Sequence, residues 1–260
     1  MVKIITVATE KKFYFKYLES TCKDFGGDFV CLGYGERWGG YSWKFKKMIS
    51  YLASIPPNEF VVFVDGYDVI CVKDLSTITE KYKKVRNETN CKLLIASDRS
   101  MLLPRFISWF YFGSINGVLI NSGTYLGFAG EILEILTKAV KQYPDENDDQ
   151  VLITNYAKNC GNEICIDVDQ QFFYAVGDSM SELPSPPVNK NPYFIHAYGC
   201  GFLTNILINM GYIVDDSIKQ DLRKEFFKKL AYHITVLIKR NIYIVILVII
   251  LTVFIVKKYK

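Results

Sequence analysis

The sequence lacks both a cysteine framework and a nucleic-acid-binding motif. None of the seven cysteines in its 260 residues forms a CxxC pair. Neither a zinc site nor a disulfide scaffold is therefore expected, while a bridge between Cys160 and Cys165 stays open. The formal net charge is only +4, and the basic residues are dispersed except near the C-terminal end. Nucleic acid is therefore not expected as a partner.

The amino-terminal segment lacks the long apolar run of a secretory signal. Residues 1–10 read MVKIITVATE, and we predict a first core strand at residues 2–8 and no cleavable signal. Half of the residues are hydrophobic, which is enough for a substantial core. The length suits one large domain, or one domain with an appendage.

The chain instead contains a regular alternation of short β-branched runs and helical stretches. The predicted strands lie at residues 4–8, 29–32, 61–64, 92–96, 117–120, 164–167 and 193–196. The predicted helices lie at residues 13–25, 43–55, 75–85, 129–143 and 150–159. This order predicts an α/β domain with a mostly parallel central sheet over residues 1–214.

One long uncharged run lies near the C-terminal end. Residues 242–256 read IYIVILVIILTVFIV, with Lys and Arg on both sides. As a helix the run would extend about 22 Å, against a hydrocarbon core of roughly 30 Å that flanking lysines can help to span. We predict a transmembrane anchor here, joined by a charged amphipathic linker at 215–241 and followed by a basic tail at 257–260. A buried core helix is the alternative.

Two carboxylates directly follow one of the predicted strands. Asp65 and Asp68 come after the apolar residues 61–64, where parallel sheets place their ligands. An ordinary Asp-Gly turn is the competing interpretation. Two neighbouring carboxylates repel each other, however, and a divalent metal with oxygen ligands would relieve that repulsion.

Four further polar residues stand at predicted element ends. Asp148 and Asp149 precede a helix, where capping alone would explain one of them. Asn121 follows the strand at 117–120 in a small polar turn that suits close approach of a ligand. His196 ends the last predicted strand, and its imidazole would complete a metal shell with two aspartates.

Five motifs occur in an order that resembles the glycosyltransferase domain of the procollagen lysyl hydroxylase family. They are DGYD at 65–68, INSGTYLGFA at 120–129, NDDQ at 147–150, IDVDQQFF at 166–173 and IHAYG at 195–199. The resemblance covers roughly residues 2–214. It implies a GT-A type nucleotide-sugar fold and a manganese-dependent transferase that uses a UDP-sugar donor.

The resemblance also implies a role for individual residues. Asp65, Asp68 and His196 are the implied ligands of Mn²⁺, which would face the diphosphate of the donor. Thr9 and Tyr67 match positions near the nucleotide, with the Tyr67 ring offered to the uracil.

Further positions match the nucleotide side and the sugar side. Trp38 and Lys44 lie in the matching nucleotide-side loop. Asp148 and Asp149 match an acidic run that faces the sugar and the acceptor, and we place Asn121 with them as a catalytic candidate.

The implied activity is transfer of a hexose, glucose or galactose, to an acceptor hydroxyl on a protein or glycan. Hydroxylysine of a collagen-like protein is one candidate acceptor. The chain departs from the family in having no lysine soon after His196, where it reads GCGFLT at 199–204. A catalytically inactive module that binds nucleotide-sugar or glycan is therefore an alternative, as is a membrane-recruited scaffold.

The expected location is the membrane of the endoplasmic reticulum, through the C-terminal anchor. Residues 257–260, KKYK, resemble a dilysine retrieval signal, which would place the catalytic domain in the lumen. The absence of an amino-terminal signal favours the cytosolic face instead, so the side of the membrane stays open.

Overall fold

A mixed six-stranded sheet is the centre of the structure, a computed structural model that describes residues 1–99, 109, 111–177 and 180–240. The described strands are β1 (Val2–Val7), β2 (Gly27–Leu32), β3 (Phe60–Val64), β4 (Val69–Cys71), β5 (Leu93–Ser97), β6 (Ile120–Phe128), β7 (Ile164–Asp167), β8 (Phe173–Ala175) and β9 (Phe194–His196). The central sheet has the order β2-β1-β3-β6-β5-β7. Within it β6 alone is antiparallel to its neighbours, so the prediction of a mostly parallel sheet is confirmed.

Helices cover both faces of this sheet. The described helices are α1 (Phe15–Asp24), α2 (Tyr41–Leu52), α3 (Ile78–Thr89), α4 (Ala129–Gln142), α5 (Asp149–Ala157), α6 (Thr204–Asn209) and α7 (Ser217–Arg240). One apolar cluster packs α2, α4 and α5 against one face, and a second packs α1 and α3 against the other. Strand β3 is buried along its whole length, which explains its continuous apolar sequence.

A smaller three-stranded sheet, with the order β4-β9-β8, continues from the central one. Strand β4 is antiparallel to β9, with Val69 opposite His196. A third apolar cluster lies here and includes Ile218 and Leu222 of α7. The segment predicted as a charged linker therefore begins as a helix that packs on the domain.

The polar turn expected at residues 121–123 is instead part of β6. Two glycines of this strand, Gly123 and Gly127, lie where neighbouring segments approach closely. A Cβ atom on Gly127 would lie 2.5 Å from the carbonyl oxygen of Lys92, which directly precedes the neighbouring strand β5. The local sequence resembles a turn because it is rich in small polar residues, but the close approach of neighbouring segments is what requires the glycines.

The expected membrane location is corrected by the structure. Within the described part of the chain, no helix is long and apolar enough to cross a membrane. Helix α7 has 24 residues, but Lys219, Asp221, Arg223 and Lys224 place charges throughout its first two turns. The predicted anchor at 242–256 and the tail at 257–260 lie outside the described residues.

Candidate metal and nucleotide site

Three segments bring Asp65, Asp68 and His196 together at the carboxyl end of β3. Asp65 directly follows β3, and the backbone N–H of Asp65 donates to the carbonyl of Gly123 at 2.7 Å. Asp68 precedes β4, and its carbonyl accepts from the N–H of Ala197 at 2.8 Å. Pairing of β4 with β9 then sets His196 beside both aspartates, although some 130 residues of sequence separate them.

The donor atoms of these three side chains fit a divalent cation. One ligand atom from each lies within 4.8 Å of the other two. The His196 Nε2 atom is 3.2 Å from Asp68 Oδ1 and 4.0 Å from Asp65 Oδ2. The imidazole is buried, and neither of its nitrogens forms a hydrogen bond within the described residues. A buried polar atom without a partner is costly, and a bound metal ion would satisfy it.

Gly123 leaves the space in which this cluster is assembled. A Cβ atom at this position would lie 2.4 Å from Cε1 of His196 and 2.5 Å from Oδ2 of Asp65. A real Cβ atom essentially never comes this close to a non-bonded heavy atom, so a side chain here would displace the cluster. Asn121 holds the glycine in place, because its Oδ1 accepts from the Gly123 N–H at 2.9 Å. The structure therefore places Asn121 beside the metal candidates as a support for the strand.

Lys44 of α2 joins the cluster to one of the predicted sugar-side carboxylates. Its Nζ lies 2.9 Å from Asp65 Oδ1 and 2.8 Å from Asp149 Oδ2. Burial by itself lowers the pKa of Lys44, but the charges of Asp149 and Asp65 outweigh it and raise the pKa above its ordinary value. Lys44 therefore stays charged, and it is shared between two carboxylates inside the site.

Asp148 and Asp149 have different environments although they are adjacent. Asp148 is the N-cap of α5, and its Oδ1 accepts from the N–H groups of Gln150 at 3.0 Å and Val151 at 3.1 Å. Burial and the charge of Asp149 raise the pKa of Asp148 to about 6. Asp149 is buried and directed at Lys44.

Asp148 should consequently influence stability in opposite ways through its cap and its charge. Asn caps about as well as Asp, so Asp148→Asn should keep the cap, whereas Asp148→Ala should lower the free energy of unfolding by about 1 kcal/mol. Folding raises the pKa of the Asp148 carboxyl to about 6. Its contribution to the free energy of unfolding is therefore complete below the unfolded pKa and is lost as the pH rises through about 6. Denaturant unfolding at pH 4 and pH 7 should therefore show Asp148→Asn gaining stability relative to wild type at the higher pH. A difference between the two proteins that does not change with pH would contradict the raised pKa.

A cleft of about 290 Å³ opens beside the metal candidates and contains the predicted nucleotide-side residues. Thr9, Trp38, Lys44 and Tyr67 all line it, together with Asp65 and Asp68. The Tyr67 hydroxyl accepts from the Thr9 N–H at 3.2 Å.

The aromatic side chains of the cleft pack against one another. The Phe13 ring meets the Tyr67 ring edge to face, with centroids 6.0 Å apart. Trp38 packs edge-on against Tyr41 and Trp43, and 41% of it is exposed. The cleft therefore offers aromatic surface next to carboxylates, as a nucleotide-binding site with a metal requires.

Sequence reasoning missed several residues that line the cleft. Lys12 and Phe13 lie in the loop before α1, and Leu222 and Glu225 come from α7. A signal for α7 was present, since Ile218, Leu222 and Phe226 recur every four residues on one helix face. The many charges between them directed the prediction to a linker instead.

The fold and the site define a class of protein: an α/β domain with a candidate metal cluster and an aromatic cleft at the end of its sheet. Residues 1–195 match the sequence model of the PLOD GT domain. The chain therefore belongs to this family of glycosyltransferase domains, and the resemblance predicted from the five motifs is confirmed.

Two relatives have similar sequences. Procollagen-lysine,2-oxoglutarate 5-dioxygenase of Drosophila melanogaster is 28% identical over 166 residues, which cover 59% of this chain and 22% of that protein. The multifunctional procollagen lysine hydroxylase and glycosyltransferase of Caenorhabditis elegans is 28% identical over 165 residues, covering 58% and 22%. The chain thus spans about a fifth of the length of these relatives.

The chain also matches solved structures. One of them is a glycosyltransferase involved in the glycosylation of the major capsid of PBCV-1, with a TM-score of 0.41 and 15% sequence identity. The match covers 75% of this chain and 93% of that one.

Proposed function

We propose that this domain transfers a hexose from a UDP-sugar to an acceptor hydroxyl, using a divalent cation held by Asp65, Asp68 and His196. The observation that carries the proposal is the buried imidazole of His196, which forms no hydrogen bond among the described residues and lies within reach of two carboxylates at the edge of an aromatic cleft. Mn²⁺ is the proposed ion, and when bound it would supply charge neutralisation for the departing diphosphate.

The aromatic side of the cleft is the proposed nucleotide site. Tyr67 offers a ring to the uracil, and the Thr9 N–H fixes the ring position through the tyrosine hydroxyl. Trp38 contributes a second, partly exposed aromatic surface. Because these groups are already ordered by packing, donor binding would require little rearrangement of the protein.

Lys44 has a positioning role in this proposal. Its ammonium fixes Asp65 through Oδ1, while Oδ2 of the same carboxylate faces His196. Lys44 thereby fixes the orientation of Asp65 within the cluster. Mutation of a supporting group of this kind typically lowers metal affinity or activity by roughly 10–100-fold, although the group does not touch the ion.

Of the three catalytic candidates Asp148, Asp149 and Asn121, Asp148 is the proposed contact to the sugar and the acceptor. Asp149 is committed to Lys44, so Asp148 is the better candidate to accept the proton of the attacking hydroxyl. Its pKa of about 6 leaves it ionised at neutral pH and close to the range that suits a general base. Asn121 would act mainly by holding Gly123 beside the cluster.

The proposed acceptor is a hydroxyl group on a protein or glycan, with hydroxylysine of a collagen-like protein as the first candidate. Family membership supports this choice, and the name of the C. elegans relative includes both lysine hydroxylation and glycosyl transfer.

A UDP-release assay tests the proposal directly. The purified protein is incubated with Mn²⁺, a panel of UDP-hexoses and a hydroxylysine-containing collagen peptide. Release of UDP that depends on the peptide and stops with excess chelator is the expected result. Binding of UDP without turnover of any sugar would instead assign a nucleotide-sugar-binding module, and the absence of both would overturn the proposal.

A further inference from the structure

We infer that Lys12 is the cation that binds the diphosphate of the nucleotide donor, an inference that rests on the proposed function. The charges of the cleft lead to this assignment. Among the described residues that line it, the cationic side chains are Lys12 and Lys44, and the anionic ones are Glu10, Asp65, Asp68 and Glu225. A diphosphate entering this cleft needs positive partners in addition to a metal ion.

Lys44 does not meet this need. Its Nζ is buried between Asp65 and Asp149, at 2.9 Å and 2.8 Å. Turning it toward a ligand would leave the buried carboxylate of Asp149 without its partner, which is costly. Lys44 is therefore retained by the protein, and Lys12 is left as the cation that a ligand can recruit.

Lys12 is held over the proposed nucleotide site but is not committed to the fold. Its Nζ lies 4.8 Å from the centroid of the Tyr67 ring and 5.4 Å from that of Phe13. Its ion-pair partner is Glu10, 3.0 Å away, and both side chains are substantially exposed. An exposed pair of this kind contributes little stability, so a diphosphate could replace Glu10 as the partner of Lys12 at small cost.

The loop that carries Lys12 is fixed to the same site at both ends. The Thr9 N–H donates to the Tyr67 hydroxyl at 3.2 Å, and the Tyr14 N–H donates to the Tyr67 carbonyl at 3.3 Å. Between them, Phe13 has a φ of 51°, a left-handed conformation that is rare for a bulky residue and that clusters at ligand sites. The loop is thus built to present Lys12 and Phe13 beside Tyr67.

The test measures how Lys12→Gln changes the binding of uridine, UMP and UDP in the presence of Mn²⁺, by titration calorimetry. Loss of a charge-assisted contact should weaken UDP binding about tenfold and leave uridine binding nearly unchanged. Lys12→Arg should retain most of the UDP affinity. The matched control is Lys11→Gln, which removes the same charge from the adjacent residue, whose ammonium pairs with Glu19 and which is not part of the cleft lining.

The outcomes distinguish failure of the role assigned to Lys12 from failure of the proposed function. If wild type binds UDP but Lys12→Gln and Lys11→Gln weaken it equally, Lys12 has no special role and the inference is overturned. If Lys12→Gln weakens uridine as much as UDP, the lysine acts through the base or through Tyr67, which also overturns it. If wild type binds no UDP, the proposed function itself fails together with this inference.

Discussion

Asp68→Asn is expected to lower the rate of UDP-sugar turnover by more than about 100-fold, since even groups that only support a metal ligand cost roughly 10–100-fold when mutated. The amide keeps the shape of the carboxylate but removes the charge that would face the cation. It also leaves the backbone carbonyl of Asp68 free to accept from Ala197 as before. The fold should therefore survive while Mn²⁺ affinity falls.

The measurement combines turnover with Mn²⁺ titration and thermal unfolding. Asp74→Asn is a matched control, because it makes the same carboxylate-to-amide change at an exposed residue that only caps a short 3₁₀ turn through Ser76. Full turnover by Asp68→Asn, or undiminished turnover of wild type in excess chelator, would refute the assignment of the metal site.

Lys44→Met is expected to reduce the free energy of unfolding by about 3 kcal/mol, since removing one partner of a buried ion pair leaves the other charge uncompensated. The side chains of Lys44 and Asp149 are 7% and 5% exposed, so little water can screen the remaining carboxylate. Burial already raises the pKa of Asp149, and the Lys44 charge opposes that rise. Without Lys44 the carboxyl should titrate at a still higher pH.

The double variant Lys44→Met/Asp149→Asn separates the two effects. It removes the buried negative charge along with the positive one, so it should recover part of the lost stability in a double-mutant cycle. Lys83→Met serves as the control, because Lys83 and Glu80 form an exposed pair, 47% and 69% accessible, that should contribute well under about 1 kcal/mol. If Lys44→Met and Lys83→Met lowered the free energy of unfolding equally, the buried pair would contribute no more stability than the exposed one.

Positions at strand ends could be predicted because an apolar run followed by polar residues marks the end of a buried strand in the local sequence. The apolar run of β3 followed by Asp65 and Asp68 indicates a buried strand and its carboxyl end, wherever the strand lies in the sheet. His196 could be placed at the end of β9 for the same reason. That the three side chains meet was expected from their metal-binding chemistry and from the order of the motifs in the resembling family.

Partners distant in sequence could not be predicted in the same way. Nothing near Lys44 shows that its ammonium lies between Asp65 and Asp149, and nothing near Gly123 shows that His196 occupies the space of a missing side chain. Such contacts depend on how strands and helices assemble. The expected membrane location was wrong for the described residues, none of whose helices is long and apolar enough to span a bilayer. The apolar run at 242–256 that suggested it lies outside those residues.

The sequence by itself determined the α/β class, the mostly parallel sheet and the family, because strand and helix periodicity and ordered motifs are properties of consecutive residues. The tertiary structure alone decided which carboxylate caps α5 and which one pairs with Lys44, although Asp148 and Asp149 are neighbours. It also decided that α7 forms a wall of the cleft and that Lys12 lies over Tyr67. Those outcomes depend on burial and on distances between segments, and both exist only once the chain has folded.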